Sequence, residues 1–388
     1  MPEPRRRHLT ASLTSSAPDL GADDRESYLT LALTPGVGPE RLAILLAAFG
    51  SPGGALVAPL AFLGTIPGIS PSCARAIRST RRNAGGQLLG AVERLGAQVL
   101  LPFDPEYPVL LHDIPSPPPY LIVAGRLELL QRPAVAIVGS RDHSRYGGEV
   151  CRRVALTAAA GGVVVVSGLA RGLDAVAHQA ALDAGGGTIG VLGHGIDVVY
   201  PKANQRLYDA IRQEGLLVSE FLPGERPTPG SFPRRNRLIS GLARVTVLIE
   251  ASVRSGALIT AEAALAQGRE VMVVPGPITS ATAEGTNGLI RDGAAPLIHP
   301  SDVLRFYPEA DGVSSDRPTP AGPQGRVLAL LRHGALHVDE LAGSLALPPG
   351  KLLGLLGAME LSGLVRQDPA LVFSIDPLMA VGRPPVRA

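Results

Sequence analysis

The feature that most constrains this fold is the alternation of short apolar runs with helical segments across residues 134–298. Near-continuous valine, isoleucine and leucine runs between helices are typical of strands buried on both faces of a parallel sheet. Because crossovers between parallel strands are right-handed, the pattern predicts an α/β, Rossmann-like, doubly wound and mostly parallel sheet of about seven strands. The runs read AVAIVGS, VVVVSG, TIGVLG, LLVSE, VTVLIEA, EVMVVPG and APLI.

The rest of the chain predicts two further domains, since 388 residues are too many for one ordinary hydrophobic core. We expect a disordered tail, a helical helix-hairpin-helix or SAM-like domain, the Rossmann-like domain, a linker and a winged-helix domain. Their predicted bounds are 1–25, 26–100, 101–310, 311–324 and 325–380.

The two smaller domains give weaker indications of function. The N-terminal hairpins in LTPGVGPERLAILLAAFG and TIPGISPSCARAI either present backbone amides to a phosphate or form a packing module. Their few basic residues favour packing. Residues 323–376 carry four basic and five acidic side chains, so the winged helix is poorly suited to DNA binding and better suited to a protein contact. Its leucines either serve that contact or belong to the core.

Composition limits the classes of protein that this chain can represent. The chain is 45% hydrophobic and 18% charged, has a net charge of +2, and contains no apolar run long enough to span a membrane. Its first residues lack the apolar segment of a signal peptide, and two distant cysteines indicate neither a zinc site nor a disulfide framework. A cytoplasmic protein without metal or cofactor is expected.

Positive charge is concentrated at one predicted edge of the sheet. In open α/β sheets ligands bind at the carboxyl ends of strands, and Arg141, Arg171 and Lys202 each follow such an end. Lys202 is one of only two lysines, the other being Lys351. Ser255 and Gly256 open a helix at the same edge, where backbone amides favour anions. The sequence therefore predicts a broad positive groove.

The segment SFPRRNRLISGLAR, residues 231–244, has no acidic residue of its own. Arg234, Arg235 and Arg237 cannot all point one way on a helix, so we expect about two to face the groove. The others would pair with acids such as Glu220 or Glu250. Phe232 either stacks on a base, as in proteins that bind single strands, or closes the loop onto the sheet.

The same residues give little support to the hypothesis that the protein is an enzyme. The first turn, GSRDHSRYGG, lacks GxGxxG, and the single Gly-Lys pair is followed by leucine, which excludes a P-loop. Asp174 and His178 stand four apart on one helix and favour local support over a catalytic dyad. Glu250 is either a general base or the partner of an arginine. Histidines show no metal spacing.

Residues 120–300 resemble the DprA/Smf family of DNA-processing proteins of bacterial transformation. The resemblance is carried in order by GSR, SGLARGLDAVAH, YPKAN, SEF, FPRRNRLISGLA, EASVRSGALITAEAALAQGREVMVVPG and GTNGLIRDGA. It departs at 172–174, where Gly-Leu-Asp stands for the usual Gly-Ile-Asp. The family implies a non-enzymatic protein that binds and protects incoming single-stranded DNA, helps load RecA and dimerises through its Rossmann-like domain.

The resemblance also assigns candidate DNA-binding residues. Arg141 and Lys202 match family positions that contact DNA. The further candidates are Ser140, Ser167, Gly168, Asn204, Phe232, Arg235, Asn236 and Ser255. Two alternatives stay open: a nucleotide hydrolase of the LOG type, although EASVRSGALITAE lacks its paired glycines, and a structural scaffold without salt-sensitive DNA binding.

Overall fold

The computed structural model describes residues 22–308, 322–331, 334–345, 347–361, 364–368 and 370–375. Residues 1–21 of the predicted tail and most of the predicted linker lie outside the described residues. The first helix begins at Ala22, inside the range predicted as tail. The chain divides into two compact units, the first comprising residues up to Tyr107 together with 116–121.

The first unit is helical, as its proline-punctuated sequence predicts. Proline opens α2, α3 and α5, where the missing N–H costs no hydrogen bond. The hydroxyls of Ser51 and Ser70 cap α3 and α5 by accepting backbone amides. The elements are α1 (Ala22–Ala32), α2 (Pro39–Phe49), α3 (Pro52–Val57), α4 (Leu60–Leu63), α5 (Pro71–Ser79), α6 (Ala84–Arg94) and β1 (Gln98–Leu100).

The second unit contains the Rossmann-like sheet, whose strands are ordered β2-β6-β5-β4-β3-β7-β8-β9. The strands are β2 (Leu121–Gly125), β3 (Ala134–Val138), β4 (Val164–Ser167), β5 (Thr188–Leu192), β6 (Leu216–Ser219), β7 (Val245–Leu248), β8 (Glu270–Val273) and β9 (Ala295–Pro296). All neighbouring pairs from β6 to β9 in this order are parallel, and β2 is antiparallel to β6. The predicted doubly wound sheet is confirmed, with all seven apolar runs forming β3–β9.

Six helices connect these strands and cover the sheet. They are α7 (Arg145–Ala160), α8 (Leu173–Asp183), α9 (Gln205–Glu214), α10 (Ser231–Gly241), α11 (Gly256–Ala266) and α12 (Glu284–Arg291). Short 3-10 helices occupy Val109–Leu111, Leu127–Gln131, Lys202–Asn204 and Pro300–Phe306. The core between sheet and helices includes Val135, Ile137, Val165, Val247 and Cys151, all fully buried. Burial on both faces explains why the strands lack polar alternation.

The order of the strands locates the candidate site. From β3 the chain adds β4, β5 and β6 on one side, and then β7, β8 and β9 on the other. The carboxyl ends of β3 and β7 therefore flank the switch point, where a crevice opens in sheets of this kind.

The C-terminal domain has its own core and the predicted winged-helix order. Its elements are α13 (Pro323–Leu331), β10 (Leu336–His337), α14 (Val338–Leu345), α15 (Pro349–Leu361), β11 (Val365–Asp368) and β12 (Val372–Ile375). Leu352 and Leu356 of α15 are fully buried in the core, while Leu361 is 92% exposed. The leucines of α15 thus serve mainly as core.

No single helix in the described residues is both long and apolar enough to cross a membrane. One bent pair, 338–345 with 349–361, reaches that criterion jointly, by length and composition only.

Candidate nucleic-acid interface

A groove opens at the switch point between β3 and β7. It contains a cavity of about 690 Å³ lined by the loop after β3, the start of α10 and the start of α11. A second cavity of about 280 Å³ lies toward the carboxyl ends of β4 and β5. The candidate residues lining the larger cavity are Ser140, Arg141, Phe232, Arg235, Asn236, Ser255 and Gly256. Those lining the smaller one are Arg141, Gly168, Arg171, Phe232 and Arg235.

An aromatic wall borders both cavities. The rings of Tyr200 and Phe232 lie 5.8 Å apart between centroids, and the Arg141 guanidinium lies 5.6 Å from the centre of the Phe232 ring. Arg141 is exposed, Phe232 is half-buried and Tyr200 is 44% exposed. Flat rings beside a cation offer a surface on which a nucleobase can stack while the cation meets a phosphate.

The loop after β3 is held by its own hydrogen bonds. The Ser140 hydroxyl donates to the carbonyl of Asp142 at 2.9 Å, and the Ser140 amide donates to the carbonyl of Glu250 at 2.8 Å. The neighbouring Asp142 carboxylate pairs with Arg171 at 2.7 Å, and both side chains are largely exposed. Arg171 therefore lies at the groove with an acidic partner that a phosphate would have to displace.

Glu250 has neither of the roles that the sequence left open. Its carboxylate is buried and accepts the amide of Ser144 at 2.9 Å and the Ser144 hydroxyl at 2.5 Å. Ser144 in turn caps α7 by accepting the amide of Gly147. Glu250 is thus a structural acceptor at the start of α7 and not the partner of an arginine.

Lys202 lies in the 3-10 turn at 202–204 and is exposed, although it lines neither cavity. Its neighbour Asn204 anchors the turn, because the Asn204 amide donates to the carbonyls of Leu169 and Ala170 at 3.0 and 3.2 Å. Asn204 thus ties Lys202 to the loop that carries Arg171.

The arginine cluster of Arg234, Arg235 and Arg237 lies on α10, which tolerates Pro233 in its first turn. The three side chains differ in exposure and in their partners. Arg235 is only 4% exposed, and its guanidinium donates to the carbonyls of Gly168 and Val191. Burial lowers its pKa, while the nearby Asp174 opposes that shift. Most of its donors thus bind protein acceptors inside the domain although Arg235 lines both cavities, and its direct contact with a phosphate stays a prediction.

Arg237 and Arg234 share one buried acid. Arg237 donates to Glu220 at 2.5 Å, and the Arg234 Nε lies 4.0 Å from the other carboxylate oxygen. The Arg234 side chain is 58% exposed and lies over the Phe221 ring, whereas that of Arg237 is 21% exposed. The predicted pairing with Glu220 is found, and Arg234 is the arginine of the cluster that remains accessible.

Asn236, Ser255 and Gly256 join α10 to α11. The buried Asn236 amide donates to the carbonyl of Gly256 at 3.3 Å, and Ser255 caps α11 by accepting the amide of Ala257. These residues line the larger cavity, where Gly256 is exposed.

Ser167 and the Asp174–His178 pair lie inside the domain. Ser167 is fully buried and donates to the carbonyl of Ile137 at 2.6 Å, so it cannot touch DNA directly. Asp174 accepts the amides of the loop after β4, whereas His178 Nδ1 lies 2.7 Å from the Thr188 hydroxyl. The two side chains serve different partners, which contradicts both a dyad and mutual helix support.

Three residues of the groove were not predicted from the sequence. Tyr200 completes the aromatic wall, Arg254 is an exposed cation lining the larger cavity, and Asp142 partners Arg171. The scarcity of aromatic residues could have pointed to Tyr200, which directly precedes PKAN. Nothing in the local sequence distinguishes Arg254 from other surface arginines.

The sequence is similar to known proteins along most of its length. Residues 98–308 match the family described as DNA recombination-mediator protein A, and residues 314–370 match the DprA winged helix domain. The chain is 33% identical over 392 residues to Protein Smf of Synechocystis sp., covering 90% of this chain and 98% of that protein. It is 46% identical over 201 residues to DNA processing protein DprA of Streptococcus pneumoniae, covering 52% of this chain and 71% of that protein.

The fold also resembles solved structures of DNA processing protein A from two bacteria. The X-ray structure of DNA processing protein A from Streptococcus pneumoniae superposes with a TM-score of 0.63 and 35% identity, covering 72% of this chain and 97% of that one. The structure of DNA processing protein A from Helicobacter pylori, described for its single-stranded DNA binding mode, gives a TM-score of 0.50 and 30% identity. It covers 54% of this chain and 94% of that one.

Proposed function

The chain belongs to the DprA/Smf family of DNA recombination-mediator proteins, and from this premise we propose that it binds single-stranded DNA in the groove beside β3 and β7. The observation that carries the proposal is the aromatic wall with its cations. Tyr200 and Phe232 offer stacking faces, while Arg141, Arg254 and Lys202 place exposed positive charge nearby. Alternating rings and cations suit an extended strand with unstacked bases.

The wall also supports preference for the single strand over a duplex. A base can lie against Phe232 only when its own neighbours have been unstacked, which costs a duplex a few kcal/mol per step. The candidate recognition helix of the winged-helix domain, α15, carries a single basic residue, Lys351, and so offers little positive charge to a duplex. Phosphate neutralisation at the groove would then dominate affinity and make it depend on salt.

We extend the proposal to the role of the bound strand. The protein protects incoming single-stranded DNA during transformation and presents it to RecA in the cytoplasm, acting as a homodimer and without catalysing a reaction. Large apolar side chains on the Rossmann-like domain support a protein contact, since Ile278 is 96%, Leu265 59% and Val253 57% exposed. Sedimentation across a dilution series tests the dimer, and strand-exchange assays with RecA test the loading.

The nucleotide hydrolase of the LOG type is not favoured. The comparable loop, EASVRSGALITAE, lacks the paired glycines of that family's phosphate-binding motif, and Glu250 at its start is buried and engaged by Ser144 at both carboxylate oxygens. Release of free base from a nucleoside monophosphate would be the result that restores this alternative.

The test compares Lys202→Ala with Lys351→Ala, the same change at the chain's two lysines, both exposed. Anisotropy of labelled single- and double-stranded oligonucleotides is followed across a salt series. We expect wild type and Lys351→Ala to prefer the single strand equally. Lys202→Ala should bind more weakly, with a salt slope reduced by about 0.7 for one lost phosphate contact.

Absence of salt-sensitive binding by the wild type would refute the proposal. Equal binding by both lysine variants would instead remove Lys202 from the contact surface and leave the groove to be tested through Arg141.

A further inference from the structure

Gly168, at the end of β4, has both of its backbone polar groups bound by buried charged side chains. Its amide donates to the Asp174 carboxylate at 3.2 Å, and its carbonyl accepts from the Arg235 guanidinium at 2.7 Å. Asp174 is 6% exposed and Arg235 is 4% exposed. The same guanidinium also donates to the carbonyl of Val191, so it joins the ends of two strands.

Burial of these charges is costly unless each is neutralised and hydrogen-bonded. Burial raises the pKa of Asp174, and the neighbouring Arg235 and the two loop amides oppose that rise. The fit leaves no room for a side chain, because a Cβ at Gly168 would lie 2.6 Å from the Arg235 guanidinium. The two charged groups and the glycine therefore form one packed unit, called here the Gly168 clamp.

Hydrogen bonds connect the clamp to the segments that carry exposed groove residues. Asp174 also accepts the amide of Ala170 at 3.4 Å, next to Arg171. The carbonyl of Ala170 accepts from Asn204 at 3.2 Å, and Asn204 closes the turn that carries Lys202. A shift of the clamp would therefore move both Arg171 and Lys202.

We propose that Asp174 and Arg235 are positioning residues, which hold the cationic loop after β4 in its DNA-binding geometry without contacting DNA. The inference rests on the proposed function, since it concerns the same groove. It assigns to an acidic side chain, Asp174, a requirement for binding a polyanion. Direct electrostatics predicts the opposite change in DNA affinity, because removal of a negative charge near a DNA site strengthens binding.

The experiment exploits that difference in sign. Asp174→Leu and Asp142→Leu make the same change at two sites, each replacing one carboxylate by an apolar side chain. The first lies in the clamp and the second at the exposed rim of the groove. Single-stranded DNA affinity is measured by anisotropy across a salt series, below the melting temperature of each variant. We expect Asp142→Leu to bind more tightly by a few-fold, because Arg171 loses its competing partner.

Asp174→Leu should bind at least tenfold more weakly. Its salt slope should be shallower by about 0.7 for each displaced cation, although no cation has been deleted. A role in stability alone would leave that slope unchanged below the melting temperature. Binding by Asp174→Leu that is as tight as wild type, or tighter, would overturn the proposal.

Two milder variants keep the proposal testable if Asp174→Leu does not fold. Arg235→Lys keeps the charge but cannot reproduce the guanidinium bridge between two carbonyls, and Gly168→Ala displaces that guanidinium without changing any charge. Both should weaken binding about tenfold. Wild-type affinity in both variants would show that the clamp does not position the groove, whereas failure of the wild type to bind would refute the proposed function itself.

Discussion

The replacement of Phe232 by leucine separates stacking from charge in the proposed interface. Phe232 is the half-buried ring of the wall, 5.8 Å from Tyr200 and 5.6 Å from the Arg141 guanidinium. Leucine keeps an apolar side chain of similar reach but offers no flat face. One lost base–aromatic stack costs about 1–3 kcal/mol. The dissociation constant for single-stranded DNA should thus rise about 5- to 150-fold.

The salt dependence shows whether the loss is one of stacking. Because Phe232→Leu removes no charge, the slope of log K against log salt should match that of wild type. Phe232→Trp should keep its affinity, and since the chain has no other tryptophan, its fluorescence would report a stacked base directly. Phe62→Leu is the matched control, because Phe62 is 52% exposed and belongs to the first unit.

Two results would refute this reasoning. Unchanged affinity in a folded Phe232→Leu would mean that the ring only closes the loop onto the sheet. Weaker binding with a shallower salt slope would mean that Phe232 acts by holding Arg141 in place, and not by stacking on a base.

Three further predictions concern stability. Gly147→Ala should lower the free energy of unfolding in urea by about 1–3 kcal/mol, because its Cβ would lie 2.4 Å from the Glu250 carboxylate. Arg237→Gln should cost about 3 kcal/mol in the same assay, since buried Glu220 would lose its close partner. Burial lowers the pKa of His178 from 6.5 to about 3, so between these two pH values the unfolded chain binds a proton that the folded chain does not. Unfolding free energy should therefore fall by about 2 kcal/mol between pH 8 and pH 5, and His178→Gln should remove most of that fall.

The sheet was predictable because burial on both faces leaves a strong sequence signal. All seven apolar runs became strands, and their carboxyl ends meet at one edge as expected. The antiparallel β2, reading LIVAG, was missed, because a short apolar run after a proline-rich connector does not reveal its pairing partner. Local sequence specifies a strand, but only the packed fold decides which edge it joins.

The site was less predictable because exposure and partners depend on distant segments. Arg141 and Lys202 are exposed, as a DNA contact requires. Ser167 and Arg235 look equally polar in the sequence, yet they are buried because carbonyls of neighbouring strands lie within reach of their donors. The sequence shows a charged residue but not the acceptor that will bind it.

The arginines of residues 231–244 therefore offer less accessible positive charge than the sequence suggests. Successive residues on a helix are rotated by about 100°, so Arg234 and Arg237 lie on one face toward Glu220, while Arg235 turns inward. One buried acid and several carbonyls thus neutralise or occupy most of the cluster. Accessible positive charge comes instead from separate loops, including Arg141 and Lys202. If the groove binds single-stranded DNA as proposed, its affinity depends on how those loops are held relative to one another, so a buried acidic side chain is required for binding a polyanion.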